Sequence, residues 1–237
     1  MTVEQQTERW VLVPAAGIGA RMGREIPKQY LPLAGHPLLS HTLENILSWP
    51  GIAGIAVCVA DADCWFEALP EANDPRIHRV AGGAERADSV LAGLRYLEKH
   101  AALGAEVLVH DAARPCIAVA DVERLMDGEA PHGAILALPV SDTVKQVRSA
   151  GETEIERTLD RSRIWLAQTP QRAPVALLRH ALEQALADGV AVTDEASALE
   201  AAGFSPRLVP GSRTNIKVTV PEDLPLAEFI LATRRQS

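Results

Sequence analysis

The sequence predicts an α/β fold, with a mostly parallel sheet and helices on both of its faces. Two observations predict it. Short continuous apolar runs alternate along the chain with longer segments whose apolar residues recur at helical spacing. The first pattern suits strands buried on both faces, and the second suits amphipathic helices packed against them. The first apolar run also passes directly into a turn of glycine and alanine. Open sheets of this class take their ligands beyond the carboxyl ends of their strands, where such turns lie. The expected architecture is therefore Rossmann-like.

The strands are read in order. "WVLVP" (10–14) is the first and ends at the turn. "IAGIAVCVA" (52–60) is rich in Val and Ile. "EVLVHDAARP" (106–115) holds a third strand that ends in a polar loop. "GAILALPV" (133–140) is the fourth, and "SPRLVPG" (205–211) holds a short fifth.

Helical patterns lie between and after them. In 85–100, Val90, Leu91, Leu94 and Leu97 form one stripe. In 174–189, Leu178, Ala181, Leu182 and Leu186 do the same before Gly189. Segment 193–203 opens with a capping residue and stops at Gly203. Segment 221–235 begins with Pro221, carries acids early and arginines late, and so complements the helix dipole.

Segment 141–165 breaks the alternation. It is too polar for a core helix and too long for an ordinary connection. Its Thr/Val alternation around a Gly-Glu turn predicts a projecting β-hairpin arm. An arm exposed on its own is expected to be covered by a second subunit. No linker or repeat divides the chain, so 1–237 reads as one domain carrying a dimerisation arm.

Composition narrows the function. Hydrophobic residues are 47% of the 237, enough for a substantial core. The net charge of −8 argues against a nucleic-acid partner, and any anionic ligand must be met by a few placed cations. Cys58, Cys64 and Cys116 show neither a disulfide framework nor a zinc spacing. The polar start "MTVEQQTER" is unlike a signal peptide, and no apolar run has the length of a membrane span. A cytoplasmic protein is expected.

The turn "PAAGIGARMG" (14–23) is the first candidate site. Small residues such as Ala15, Ala16, Gly17 and Gly19 let backbone N–H groups approach a phosphate, and Arg21 and Lys28 add charge. A dinucleotide fingerprint fits poorly, because the spacing is Gly-x-Gly-x-x-x-Gly and the later acidic residue is missing. A Walker A loop fits poorly too, since Lys28 follows Pro27 and precedes Gln29. A nucleotidyltransferase loop, with a downstream lysine reaching the α-phosphate, fits best. A plain strand-to-helix turn would need neither Arg21 nor the Pro27-Lys28 pair.

Three other groups stand out. Asp111 and Arg114 follow a strand in "VHDAARP"; Asp111 suits a Mg²⁺ ligand and Arg114 a bidentate anion contact. A capping Asp and a surface Arg are the bland alternative. Beside them, His110 reads as structural. Gly82 and Gly83 precede a helix carrying Ser89, a possible wall for a base or ribose. Lys217 is placed in a short strand before the last helix, where an unpaired buried charge would be costly, so an anion is expected nearby. Arg161 and Arg163 lie at the base of the arm.

Taken in order, "PAAGIGARMG", "PKQY", "GGAERADSV", "HDAARP", "AQTPQ", "TDEASALE" and "NIKVTVPEDL" span nearly the whole chain. Together they closely resemble the 2-C-methyl-D-erythritol 4-phosphate cytidylyltransferase family of the non-mevalonate isoprenoid pathway. The resemblance implies transfer of CMP from CTP to methylerythritol phosphate, with Mg²⁺. It implies that Arg21 and Lys28 stabilise the pentacoordinate α-phosphate. Arg161 and Lys217 would position the acceptor, with Thr143 and Arg114 nearby. Asp111 would meet metal and substrate. Ala15, Ala16, Gly17, Gly82 and Ser89 would contact the nucleotide, and Ala112 the ribose. It also implies a homodimer with exchanged arms, so that Thr143 and Arg161 serve the neighbouring subunit. At Ala84 some relatives carry a polar residue. A cytidylyltransferase for another polyol phosphate, such as ribitol 5-phosphate, is the nearest rival. A regulatory CTP-binding protein and an NAD-dependent dehydrogenase are rivals of other classes.

Overall fold

Alternate residues of the first strand face opposite sides of one sheet. Val11 and Val13 pack into one apolar cluster, and Trp10 and Leu12 into the other. The same alternation separates Val57 from Cys58 and Leu108 from Val109. A strand buried on both faces must be apolar at every position, which is why these runs are continuous. Burying each such Val or Leu contributes about 1.5–3 kcal/mol.

The computed structural model describes residues 7–17 and 26–234. Its strands are β1 (Arg9–Pro14), β2 (Pro32–Leu33), β3 (His36–Pro37), β4 (Ile52–Val59), β5 (Ile77–Ala81) and β6 (Glu106–Val109). They continue with β7 (Ala134–Pro139), β8 (Lys145–Val147), β9 (Ile155–Thr158), β10 (Trp165–Pro174) and β11 (Arg207–Pro210). The helices are α1 (Leu38–Leu47), α2 (Arg86–His100), α3 (Val119–Met126), α4 (Val175–Ala187), α5 (Glu195–Ala201) and α6 (Asp223–Arg234).

Seven strands form the central sheet in the order β11-β7-β10-β6-β1-β4-β5. All run parallel except β10, which pairs antiparallel with both β6 and β7. The Rossmann-like, mostly parallel α/β sheet expected from the sequence is present. Residues of α1 and α3 pack on one face, and residues of α2, α4 and α5 on the other. Residues of α6 close a third cluster with Leu33, Leu38 and Val218. Gly93 brings α2 against the sheet, since a Cβ there would lie 2.5 Å from Leu12 Cδ1 and 2.9 Å from Cys58 Sγ.

The predicted arm is a hairpin. β8 and β9 form their own antiparallel sheet, with Lys145 opposite Thr158 and Gln146 opposite Arg157. Ile155 is 62% exposed on it, and Leu166, just past its base, 57%.

One expectation needs correction. Lys217 is not in a strand: 215–219 is irregular backbone, tied to the sheet side by the Val218 N–H to Ala113 carbonyl bond of 2.8 Å. The tract has strand-like composition, but its backbone bonds to the loop after β6 instead of to a sheet edge. The strand β10 was also unread, because its polar "QTPQR" lacks the apolar signature of a buried strand. Cys58 and Cys116 are buried and Cys64 is exposed; all three are free thiols. Burial pushes Cys58 up to about 12 and Cys116 up to about 11, which keeps both protonated.

Candidate active site

Beyond the carboxyl ends of β1 and β6, chain segments far apart in sequence converge. Ala15 continues β1 through its N–H bond to the Cys58 carbonyl, 2.7 Å. Its own carbonyl accepts from Gln29 Nε2 at 2.6 Å. Gln29 is buried and sits in the short 3₁₀ turn Lys28–Tyr30, so this bond fixes the backbone that carries Lys28. The Tyr30 hydroxyl donates to Asp63 at 2.8 Å and anchors the other end of that turn. Lys28 Nζ then donates to the Val218 carbonyl at 3.1 Å, beside Lys217.

The Gly82-Gly83 turn stands behind the opposite wall, which Ala84, Glu85 and Ser89 line. Gly82 donates to the Val59 carbonyl at 2.7 Å. A Cβ on Gly82 would lie 2.6 Å from Ala16 Cβ and 3.2 Å from the Val59 carbonyl, so only glycine allows this approach. Ser89 is buried, and its hydroxyl accepts from the Gly83 N–H at 3.1 Å and bonds the Glu85 carbonyl at 3.1 Å. That hydroxyl thus braces the turn from within.

Asp111 sits at the centre. Its Oδ1 meets Arg86 Nε at 3.2 Å, and its Oδ2 meets Lys217 Nζ at 2.9 Å and Arg114 Nε at 3.4 Å. Burial alone would raise its carboxyl, but the Arg86, Lys217 and Arg114 charges outweigh burial and hold it well below the usual carboxylate range. Arg114 also donates to the Asn215 carbonyl at 2.7 Å. The Asn215 amide in turn donates to the Thr169 carbonyl at 2.9 Å. The Ala112 carbonyl is taken by the Thr42 hydroxyl at 2.8 Å, so this loop is held on every side.

Two adjoining clefts open here. One, of about 280 Å³, is lined by Ala15, Ala16, Gly17, Lys28, Ser89, Ala112 and Asp111 among others. The second, of about 210 Å³, includes Arg114, Gln168, Thr169 and Asp194. Arg86, Asp111 and Lys217 line both. The structure therefore brings together most of the predicted nucleotide-side residues, with Gly82 packed against the lining residue Ala16. Gly19 and Arg21 lie outside the described residues. Thr143 and Arg161 are exposed on the arm, and neither is among the described residues lining these clefts.

Chemically, Lys28, Arg86, Arg114 and Lys217 make an anion site in a chain of net charge −8. Among the described residues, no three His, Cys, Asp or Glu side chains are grouped to hold a metal ion. Asp111 is one hard carboxylate donor. Mg²⁺ commonly binds through one or two carboxylates and completes its shell with substrate phosphates and water. The donor set fits an ion that arrives on a polyphosphate.

The family model for 2-C-methyl-D-erythritol 4-phosphate cytidylyltransferase matches residues 10–233. The chain belongs to this family. A relative of that name from Shewanella amazonensis is 53% identical over 227 residues, 95% of this chain and 94% of the relative. Another from Aeromonas hydrophila is 55% identical over 221 residues, 93% of this chain and 88% of the relative. The solved Francisella tularensis 2-C-methyl-D-erythritol 4-phosphate cytidylyltransferase is 34% identical, with a TM-score of 0.81, covering 94% of this chain and all of that one.

Within this cytidylyltransferase, sequence reasoning missed Arg86 and Glu195. Arg86 donates to both Glu195 oxygens, at 2.7 and 3.1 Å, besides its contact with Asp111. Burial weakens the Arg86 charge, but Glu195 and Asp111 outweigh it and push its pKa up. Both residues lie in the motifs "GGAERADSV" and "TDEASALE". A first-turn Glu reads as a solvated dipole partner, so its burial left no trace in the sequence. Gln29 and Thr169 were likewise unread as supports.

Proposed function

We propose that the paired clefts transfer CMP from CTP to 2-C-methyl-D-erythritol 4-phosphate, releasing diphosphate and 4-diphosphocytidyl-2-C-methyl-D-erythritol. The observation that carries this is the cluster of Lys28, Arg86, Arg114 and Lys217 around Asp111, where two clefts share a wall. The reaction joins two anions, so a site that performs it needs two adjoining pockets with cations between them.

The nucleotide occupies the first cleft, with its phosphates over Ala15, Ala16 and Gly17 and its ribose by Ala112. Lys28 meets the α-phosphate; Arg21, given the same role by its motif, and Gly19, read as a nucleotide contact, lie outside the described residues. The acceptor phosphate enters from the second cleft against Lys217 and Arg114. It attacks phosphorus in line, forming the new P–O bond as the bond to diphosphate breaks. The attacking group is already an anion and needs no strong base. Catalysis is positioning and charge neutralisation. The bond of Lys28 to the Val218 carbonyl holds its ammonium at the cleft wall before substrate arrives, so its charge is in place for the transition state. Asp111 is the residue that would hold Mg²⁺ together with the triphosphate. When bound, that ion supplies further charge neutralisation.

The whole chain is read as one nucleotidyltransferase domain, with 141–165 as a dimerisation arm. The exposed arm and its apolar Ile155 support a homodimer in which Thr143 and Arg161 reach the partner's acceptor pocket. A cytoplasmic setting without nucleic-acid or membrane partners agrees with the acidic net charge. No helix among the described residues is long and apolar enough to cross a membrane.

The test is diphosphate release with CTP and Mg²⁺, comparing methylerythritol phosphate with ribitol 5-phosphate. Release with the first alone is expected. Release with ribitol 5-phosphate alone would keep the chemistry and reassign the acceptor.

A further inference from the structure

Glu195 opens α5, where a glutamate ordinarily points to water and interacts with the helix dipole. Here its side chain is only 3% exposed. The start of α5 is locked in place. Asp194 caps it by accepting from the Ser197 N–H at 2.9 Å. Gln171 of β10 accepts from the Ala196 N–H at 2.8 Å and donates to Asp194 at 2.9 Å. The Glu195 carboxylate therefore has a fixed origin, and it is aimed at Arg86.

Arg86 divides its planar fork between two carboxylates. Nη1 and Nη2 take Glu195 at 2.7 and 3.1 Å, while Nε takes Asp111 at 3.2 Å. Arg86 faces both clefts, and Glu195 faces neither. Three cations (Arg86, Arg114, Lys217) are thus balanced by two carboxylates, of which only Asp111 meets the clefts. Among the described residues, Glu195 alone accepts from the two terminal nitrogens of Arg86 and holds them away from Asp111. Without the Glu195 charge, the guanidinium could turn its strong bidentate edge onto the Asp111 carboxylate or onto a bound phosphate.

We propose that Glu195 is a positioning residue of the transfer reaction. It holds the Arg86 fork so that Asp111 receives a single N–H from Arg86 and keeps its orientation between the clefts. The inference rests on the reading of these clefts as the CTP and acceptor sites.

Glu195→Gln keeps the shape and removes the charge. Supporting residues of this kind typically cost about 10–100-fold in activity when changed, and a loss of that size in kcat is expected with the KM for CTP little altered. Glu195→Asp should recover part of it. The double variant Glu195→Gln/Asp111→Asn should be no worse than Asp111→Asn alone, because residues acting as one unit are non-additive. A normal kcat with only a lowered Tm would overturn the proposal, as would independent losses that multiply in the double variant. Should Glu195→Gln fail to fold, Arg86→Lys keeps the charge but loses the fork, and unimpaired turnover there would overturn it equally. Wild type and Lys28→Ala run beside these. A silent wild type removes the underlying reading and this inference with it. An active wild type, an inactive Lys28→Ala and a fully active Glu195→Gln overturn only the role of Glu195.

Discussion

The hydroxyl of Thr169 lies 3.1 Å from His110 Nδ1 and accepts the Asp111 N–H at 3.0 Å. The Arg114 carbonyl, 3.1 Å from His110 Nε2, can only accept, so in the neutral ring Nε2 carries the hydrogen and donates to it. Nδ1 is then the acceptor, and the Thr169 hydroxyl donates to it. The tautomer is assigned from this network. A neutral His110 joins β10 to both ends of the loop that bears Asp111 and Arg114.

His110 should therefore tie stability to pH. Burial pushes its pKa down to about 4, while the unfolded residue titrates near its ordinary 6.5. Between these values the unfolded chain binds more protons, so this contribution is complete above about pH 6.5 and declines as pH falls towards about 4. Thermal melts of chelator-treated protein across that range should show a steeper loss of Tm for wild type than for His110→Gln. Equal slopes would mean that His110 takes up its proton in the folded state.

Lys28→Ala should lower kcat by about 10²–10³-fold, the usual cost of losing one preorganised charge donor. The fold should survive, because the Gln29 and Tyr30 bonds hold the turn independently of the ammonium. Steady-state kinetics with a parallel thermal melt tests both halves. A kcat near wild type would exclude Lys28 from the reacting centre.

Arg161→Ala should weaken acceptor use far more than CTP use. Mixing it with Lys28→Ala subunits should restore activity, since one of the two hybrid sites would carry neither lesion. Purified heterodimers with no recovery would place Arg161 in its own subunit's cleft.

Gly93→Ala should destabilise the protein by about 1–3 kcal/mol through overpacking against Leu12. Activity per folded molecule should persist, because α2 bears on the sheet there rather than on the clefts. Urea unfolding gives the number, and an unchanged midpoint would mean that α2 shifts outward without cost.

Much of the fold was legible because continuous Val, Ile and Leu runs leave few alternatives to buried strands. β10 was not, since its Gln168, Thr169, Gln171 and Arg172 are buried polar groups that bond to distant partners which periodicity does not reveal. The site divided the same way. Asp111, Lys28 and Lys217 stood out as charges beside strand ends or in apolar tracts. Arg86 and Glu195 stood inside quoted motifs yet carried no role, because the pair forms across 109 positions. A salt bridge of that separation becomes visible only when α2 and α5 are seen on the same face.

The antiparallel course of β10 has a further consequence. β7 and β10 are direct neighbours, so the chain between them needs no crossover, and a tight turn of a few residues could close it. Residues 141–165 are in effect an insertion into a hairpin. The arm can thus lengthen or shorten without disturbing the central sheet, so its sequence is free to vary separately from the fold that carries it. The insertion leaves from the carboxyl end of β7, the same end of the sheet at which the clefts open.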